Sequence, residues 1–467
     1  MDSYWEAPVP TGPLRATVIL PGSKSQTSRA LVIGTIAESP TVVRGALASR
    51  DSYLAAMAMA HFGAGFDFEA ERNEVLITPP KQLRGWGTID CGLAGTVMRF
   101  APALAAFANG TTRFVGDVAA EKRPLAPLTD ALKTLGAKVR FQGAKGHLPL
   151  KVRGIYTESE YPDQDPWDEP LKNVEVDTTS SSQYLSALLL ASPLFGRPAL
   201  LRAEGRLPSW PYVAMSLEML AEQGVEIVSK SSSSWLTSPT RPKGVPIDIE
   251  PDLSNAGPFL AAALLTGGSV TISGWPRRTD QVGKYWLELL PRFGATLAFS
   301  SAGLTVSAPT GLTWPGMEFD LAPCGELAPT VAALCLFASS PSTILGVGHL
   351  RGHETDRLEA LACEIRKLGG KARVLRDGLR ITPGQYHPAD LASYDDHRMA
   401  TFGAIVGLRV PGCRVNNIGT TAKTLPHFPA RWDAMLQGWP SPEPLWLSEV
   451  HEDPSRLTDP EHGEATR

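Results

Sequence analysis

One unit of sequence recurs six times along this chain, and the recurrence limits the fold more than any other feature. Each copy opens with small polar residues, continues into a short and very apolar stretch, and passes a Gly or Pro into a β-branched run. The copies read SKSQTSRALVIGTIAESPTVVRG, LAGTVMRFAPALAAFANGTTRFVG, SSSQYLSALLLASPLFGRPALLRA, SNAGPFLAAALLTGGSVTISG, GELAPTVAALCLFASSPSTILGV and DDHRMATFGAIVGLRVPGCRVNNIG. Their starts, near Ser25, Gly95, Ser182, Ser254, Glu326 and Asp396, lie about 70, 87, 72, 72 and 70 residues apart. The one long interval holds an acidic, Pro-bearing insert, YTESEYPDQDPWDE. A second helix is expected in each copy, ending at Gly63, Gly136, Gly224, Gly294 and Gly369 as C-cap glycines. The sixth copy, HFPARWDAML, has no such Gly inside it and is read as the end of the fold.

Six units of strand, helix, strand, helix and strand divide into three and three. At 467 residues the chain is too long for one core, so two α/β domains are expected. The apolar first helices would be buried on most faces. Residues 441–467, rich in Pro, Glu and Asp without a period, read as a solvated tail.

Composition bounds the rest. A formal net charge of −4 argues against a general nucleic-acid binder. Five cysteines, Cys91, Cys324, Cys335, Cys363 and Cys413, show no C-x-x-C pair and fit a reducing compartment. MDSYWEAPVPTGP does not read as a signal peptide, and no apolar run reaches membrane-span length. A cytoplasmic protein without a membrane partner is expected. Nothing reads as a long apolar seam, so a monomer is expected.

Helix starts carry unpaired N–H groups and a partial positive charge, and so hold anions. Here they also carry Lys24, Ser25 and Arg29, then Gly95, Thr96 and Arg99, then Ser181, Ser182 and Gln183. Ser, Thr and Gly there are also ordinary caps. Cations in a first turn oppose the macrodipole, and a bound anion would remove that conflict. GSKS lacks the P-loop spacing, since Ser23 stands before Lys24 where that loop has Gly. In the second half, Asp252 and Asp395 read as N-caps. Arg351, His353, Glu354, Asp356 and Arg357 crowd one turn, an arrangement suited to acid–base work. YDDHRM adds His397 and Arg398, and TTAKT adds Lys423. His349 and His353 have i, i+4 spacing, but Arg351 between them disfavours zinc, and no metal is expected.

PGSKSQTSR, LAGTVMR, EKRP, SSQY, HETDR, DDHRM and TAKT, in this order and at these spacings, resemble the 3-phosphoshikimate 1-carboxyvinyltransferase family of enolpyruvyl transferases. The resemblance runs from about residue 14 to 436. It implies two similar domains of three βαβαββ repeats each, an inside-out α/β barrel pair joined by a hinge. Residues 24–251 would form the acceptor side. Residues 1–23 and 252–440 would form the phosphoenolpyruvate and acid–base side.

Roles carry over by resemblance. Lys24, Glu326 and Glu354 are implied as catalytic. Lys24, Gly95, Arg123, Gln183, Arg357, Arg398 and Lys423 are implied to hold phosphoenolpyruvate. Lys24, Ser25, Arg29, Ser181, Ser182, Gln183, Ser209, Tyr212, Glu326, His349 and His353 are implied to hold shikimate 3-phosphate. The implied reaction is addition of the 5-hydroxyl to phosphoenolpyruvate, then elimination of phosphate, without a cofactor. Leu93 stands where many members have Asn, Phe100 where many have Pro, His353 for a frequent Lys and Glu326 for Asp. His353 leads to an expected steepening of donor binding below neutral pH. Retention of Gly95 implies sensitivity to glyphosate. The rival readings are the related transferase acting on UDP-N-acetylglucosamine, whose usual loop cysteine has no counterpart near GDVAAEKRP, and a non-catalytic anion-binding homologue.

Overall fold

The computed structural model describes residues 4–155, 172–444 and 447. The acidic insert falls almost wholly outside them. The chain divides into two compact units. Of the described residues, one takes those up to Ser23 and 250–444, the other Lys24–Ile249 together with Leu447. The second boundary falls two residues before the one expected from sequence.

Among the described residues the recurrence is realised as six sheets and six helix pairs. The first helices are Lys24–Ile36, Val97–Ala105, Gln183–Ala191, Gly257–Thr266, Ala328–Leu336 and His397–Gly407. Every residue of Val97–Ala105, Ala328–Leu336 and His397–Gly407 is buried. That explains why these segments lack a polar face: each is surrounded by its own unit. The second helices are Arg50–His61, Ala126–Leu135, Trp210–Glu222, Trp286–Arg292, Arg357–Lys367 and Phe428–Gln437, and each is only partly buried. Gly63, Gly136, Gly224, Gly294 and Gly369 end the first five, with φ of 102, 111, 78, 92 and 94°. The sixth also ends at a glycine, Gly438, φ 68°, just beyond the stretch read as lacking one.

Each complete sheet follows one pattern. In the third, Lys172–Asp177 runs parallel to Ala199–Glu204, which pairs antiparallel with the Ile227–Ser231 and Ser234–Thr237 hairpin. Two strands break chain order. Leu14–Val18 pairs in parallel with Gly268–Ser273, in the unit that follows Glu250, yet leads into the Lys24–Ile36 helix. Ile247–Asp248 pairs in parallel with Thr41–Arg44, yet leads into the Gly257–Thr266 helix. Each connection between units therefore leaves a sheet in one and enters a buried helix in the other. Among the described residues the sixth sheet has no such hairpin, and Tyr4–Glu6 fills the place by pairing antiparallel with Arg414–Asn416.

The start of the expected solvated tail is only partly solvated: Glu443 is exposed, but Pro444 is buried and the backbone here is tied down. Arg431 is 1% exposed, and burial lowers its pKa to about 10. A buried guanidinium needs acceptors. It donates to the carbonyls of Ile19 (2.6 Å), Pro442 (2.5 Å) and Glu443 (3.3 Å). Leu447 is buried, and its N–H donates to the carbonyl of Ala46. The rest of the tail lies outside the described residues.

Candidate active site

Within the unit that follows Glu250, three helix starts and two short turns place charged side chains together. The Gly348–Gly352 turn leads into His353 and Glu354, and Asp356 then caps the next helix by accepting from the N–H groups of Leu358 and Glu359. Arg357 follows at the first helical position, 1% exposed. Its guanidinium donates to Glu326 (3.1 Å), Glu354 (3.0 Å) and both oxygens of Asp396 (2.7 and 3.3 Å). Its Nη1 also lies 3.2 Å from His353 Nδ1.

Asp396, not Asp395, caps the His397–Gly407 helix, accepting from the Arg398 N–H. Asp395 instead accepts from the Asn417 side chain at 2.7 Å. The expectation erred by one residue because the left-handed pair Tyr394–Asp395, φ 55 and 53°, delays the helix. Asp252, also expected as a cap, accepts from the N–H and hydroxyl of Ser254 in a turn ahead of the helix.

Arg398, in the first turn, donates to Glu326 at 2.5 Å and to the Ser254 hydroxyl at 3.1 Å. Its conflict with the macrodipole is thus met by a protein carboxylate. Lys423 pairs with Glu354. Burial alone would push the Glu326 carboxyl up, but Arg398 and Arg357 outweigh it and hold it well below the usual carboxylate range. Burial, reinforced by Arg357, pushes the His353 imidazole down to about 3. Without donor anions, His353 is therefore neutral near pH 7, not the charged group from which the steepening of donor binding was expected. The His349 ring lies 5.8 Å from that of His353. Among the described residues no group of His, Cys, Asp and Glu is placed to hold a metal ion.

The other unit gathers the remaining candidates. Lys24 lies 3.5 Å from the buried carboxylate of Asp51. Arg29 is 1% exposed and belongs to the second turn of its helix, not the first. Its guanidinium donates to the carbonyls of Ser25 (2.9 Å) and Tyr212 (2.8 Å) and to the hydroxyl of Ser216 (2.8 Å). With no carboxylate among these partners, burial lowers its pKa to about 10. Arg29 thereby ties the Ser25 turn to the Trp210–Glu222 helix, whose preceding residue Ser209 has φ 53°.

The Ser181 hydroxyl accepts from the Gln183 N–H at 3.2 Å, while Ser182, 5% exposed, makes no side-chain cap bond. The Gln183 side chain accepts from Arg99 at 2.8 Å, and Arg99 also donates to the Gly95 carbonyl at 3.0 Å. A β-carbon on Gly95 would stand 3.0 Å from both terminal nitrogens of Arg123 and from one of Arg99. Among the described residues the buried Nε of Arg123 has no hydrogen-bond partner. One unit thus collects a cation-rich set around hydroxyls, and the other a lattice of two glutamates and three cations.

Comparison with known proteins decides the lineage. A family model described as EPSP synthase (3-phosphoshikimate 1-carboxyvinyltransferase) matches residues 9–432. The chain belongs to the EPSP synthase family. Membership makes it a transferase of the shikimate pathway. It is 46% identical over 445 residues to the 3-phosphoshikimate 1-carboxyvinyltransferase of Kocuria rhizophila, covering 93% of this chain and 97% of that one. Among solved structures it resembles an EPSP synthase from Acinetobacter baumannii, with TM-score 0.70 and 21% identity over 91% of this chain and 96% of the other. It also resembles the enolpyruvyl transferase NikO from Streptomyces tendae, with TM-score 0.67 and 17% identity over 89% and 94%. At these identities the structures speak for the two-domain α/β fold alone.

Sequence reasoning passed over Ser254, noted only as a repeat start, and gave Asp396 no role beyond opening a helix. The side chain of Ser254 holds Arg398, and that of Asp396 holds Arg357. The only signal for either was its place at the head of a repeat.

Proposed function

We propose that the chain transfers the enolpyruvyl group of phosphoenolpyruvate to the 5-hydroxyl of shikimate 3-phosphate, releasing phosphate by addition and then elimination. Arg357, Arg398 and Lys423, with Lys24, Gly95, Arg123 and Gln183, hold the donor. Lys24, Ser25, Arg29, Ser181, Ser182, Gln183, Ser209, Tyr212, His349 and His353 shape the acceptor side. Arg29 and Tyr212 act from behind it, since the Arg29 guanidinium is buried and the Tyr212 carbonyl is one of its acceptors.

The observation that carries this reading is the lodging of Glu326 and Glu354 among cations. Glu326 lies between Arg357 and Arg398, and Glu354 between Arg357 and Lys423. A carboxylate held this low is a weak base. Donor anions taking up the two guanidinium groups release that hold and raise the basicity of Glu326 toward the acceptor hydroxyl. Glu354 exchanges protons at the donor methylene, with Lys423 beside it. Fixed cations that neutralise developing charge supply the electrostatic share of the rate.

No helix among the described residues is long and apolar enough to cross a membrane. We place the protein in the cytoplasm as a monomer. The deciding experiment is phosphate release from phosphoenolpyruvate with shikimate 3-phosphate or UDP-N-acetylglucosamine as acceptor. Release with the first alone is expected. Release with the second alone, or with neither, would overturn the reading.

A further inference from the structure

The turn that carries Asp396 is held in an unfavourable backbone. Tyr394 and Asp395 are consecutive non-glycine residues at φ 55 and 53°. Left-handed backbone is uncommon outside glycine, and more so for a bulky residue such as Tyr than for Asp. It persists where surrounding contacts over-determine it. Asn417 accounts for the Asp395 side chain. The contacts on the Tyr394 side come from Glu364 and, beside it, the Cys363 thiol.

Glu364 is a fully buried carboxylate that belongs to none of the charged groups assigned above to the reaction. One oxygen accepts from the Tyr394 hydroxyl at 2.6 Å, and the other from the Ala392 N–H at 3.1 Å. Lys367 compensates its charge from 2.9 and 3.1 Å. Glu364 and Arg357 lie seven residues apart on the same helix, two turns along one face. The helix therefore grips the 392–396 turn at two points. Glu364 takes its beginning through Ala392 and Tyr394, and Arg357 takes its end through Asp396. The Asp396 carboxylate also fixes the N–H of Arg398. A shift of the turn would move both guanidinium groups that lodge Glu326.

We propose that Glu364 is a positioning residue for the transfer reaction, holding the Tyr394–Asp395 turn so that Asp396 presents Arg357 and Arg398 in register. This rests on the assignment of those two arginines to the donor. Glu364 itself touches neither substrate.

The test is steady-state kinetics of Glu364→Gln, Tyr394→Phe and the double variant, at a temperature where all remain folded by circular dichroism. Glutamine can keep its carbonyl on the Ala392 N–H, but its amide nitrogen then replaces the oxygen that accepts from the Tyr394 hydroxyl and Lys367, and the charge that Lys367 balances is gone. Phenylalanine removes only the hydroxyl, so it keeps the test open should the first variant not fold. The expected result is a KM for phosphoenolpyruvate raised roughly tenfold in each single variant, with the KM for shikimate 3-phosphate within about twofold. The double variant should be no worse than the poorer single one, because both changes break one connection. Unchanged donor KM in the folded variants, equal rises for both substrates, or multiplying effects would overturn the proposal. Arg357→Lys and Arg398→Lys serve as controls. If they leave donor KM unchanged, the donor assignment fails; if they raise it while Glu364→Gln and Tyr394→Phe do not, only the positioning role fails.

Discussion

Arg357 donates from Nε and Nη2 to the two oxygens of Asp396, at 2.7 and 3.3 Å, with the side chains 1% and 0% exposed. Neither group reaches bulk water, so each depends on the other. Removing one charge of a lone buried pair typically costs about 3–5 kcal/mol, and because Arg357 keeps Glu326 and Glu354 the loss here lies at the lower end of that range. Asp396→Asn is expected to lose stability of that order in urea unfolding, with the slope against urea unchanged. Its surviving folded fraction should also bind phosphoenolpyruvate more weakly.

Glu354 has a different standing. It accepts from Arg357 and Lys423 but holds no helix start, so its charge is available for proton exchange. Glu354→Gln keeps the shape and removes the basicity. Phosphate release should fall by roughly 10²–10⁴, the range for loss of a general acid or base. Calorimetry should find binding of both substrates changed by less than about tenfold. Loss of binding along with turnover would mean that Glu354 mainly supports Arg357 and Lys423.

The repeat was legible because its cause is local. A helix buried on all sides must be apolar all round, and a left-handed helix end favours glycine, so both leave marks at fixed spacing. The site was legible as a set of residue types at helix starts, and through resemblance as roles. What lay hidden depends on distant partners. The placement of Leu14–Val18 with the later unit came through resemblance alone, and the pairing of Ile247–Asp248 with Thr41–Arg44 is a fact of strand pairing that no local pattern encodes. The burial of Arg29 and Arg431 against carbonyls was hidden for the same reason, since acceptors such as Tyr212 and Ile19 carry no mark in sequence. The protonation of His353 was not legible because its ordinary titration range says nothing of its burial or of Arg357 beside it.

That neighbour makes a pH prediction with a definite sign. The folded-state pKa of His353 is pushed down to about 3, from an unfolded value near 6.5. Above pH 6.5 both states are neutral there, and the contribution to stability is complete. As pH falls below 6.5, the unfolded chain takes up a proton that the folded protein does not, and stability is lost. The melting temperature should therefore drop between pH 6.5 and 5, a window above ordinary carboxylate titration. His353→Gln should flatten that drop. Donor KM should be flat between pH 6 and 8 as far as His353 controls it. An imidazole resonance from His353 titrating near 6.5 in the folded protein would refute this.

Gly95 is where the smallest change should separate binding from folding. Its backbone is not in the left-handed region, so alanine imposes no strain of that kind. The new methyl would instead stand 3.0 Å from Arg123 and Arg99 nitrogens, closer than ordinary contact. Both are the far ends of flexible side chains, which yield by a few tenths of an ångström at little cost to stability. Gly95→Ala should therefore unfold within about 0.5 kcal/mol of the parent protein, as for substitutions that break no packing. The displaced Arg123 nitrogens, however, are those assigned to the donor, and small misplacement of a positioning group is costly to reaction. Donor KM should rise roughly tenfold, with acceptor KM unchanged. A donor KM equal to that of the parent would remove Gly95 and Arg123 from the donor site. A matching rise in acceptor KM would place their effect on the unit as a whole.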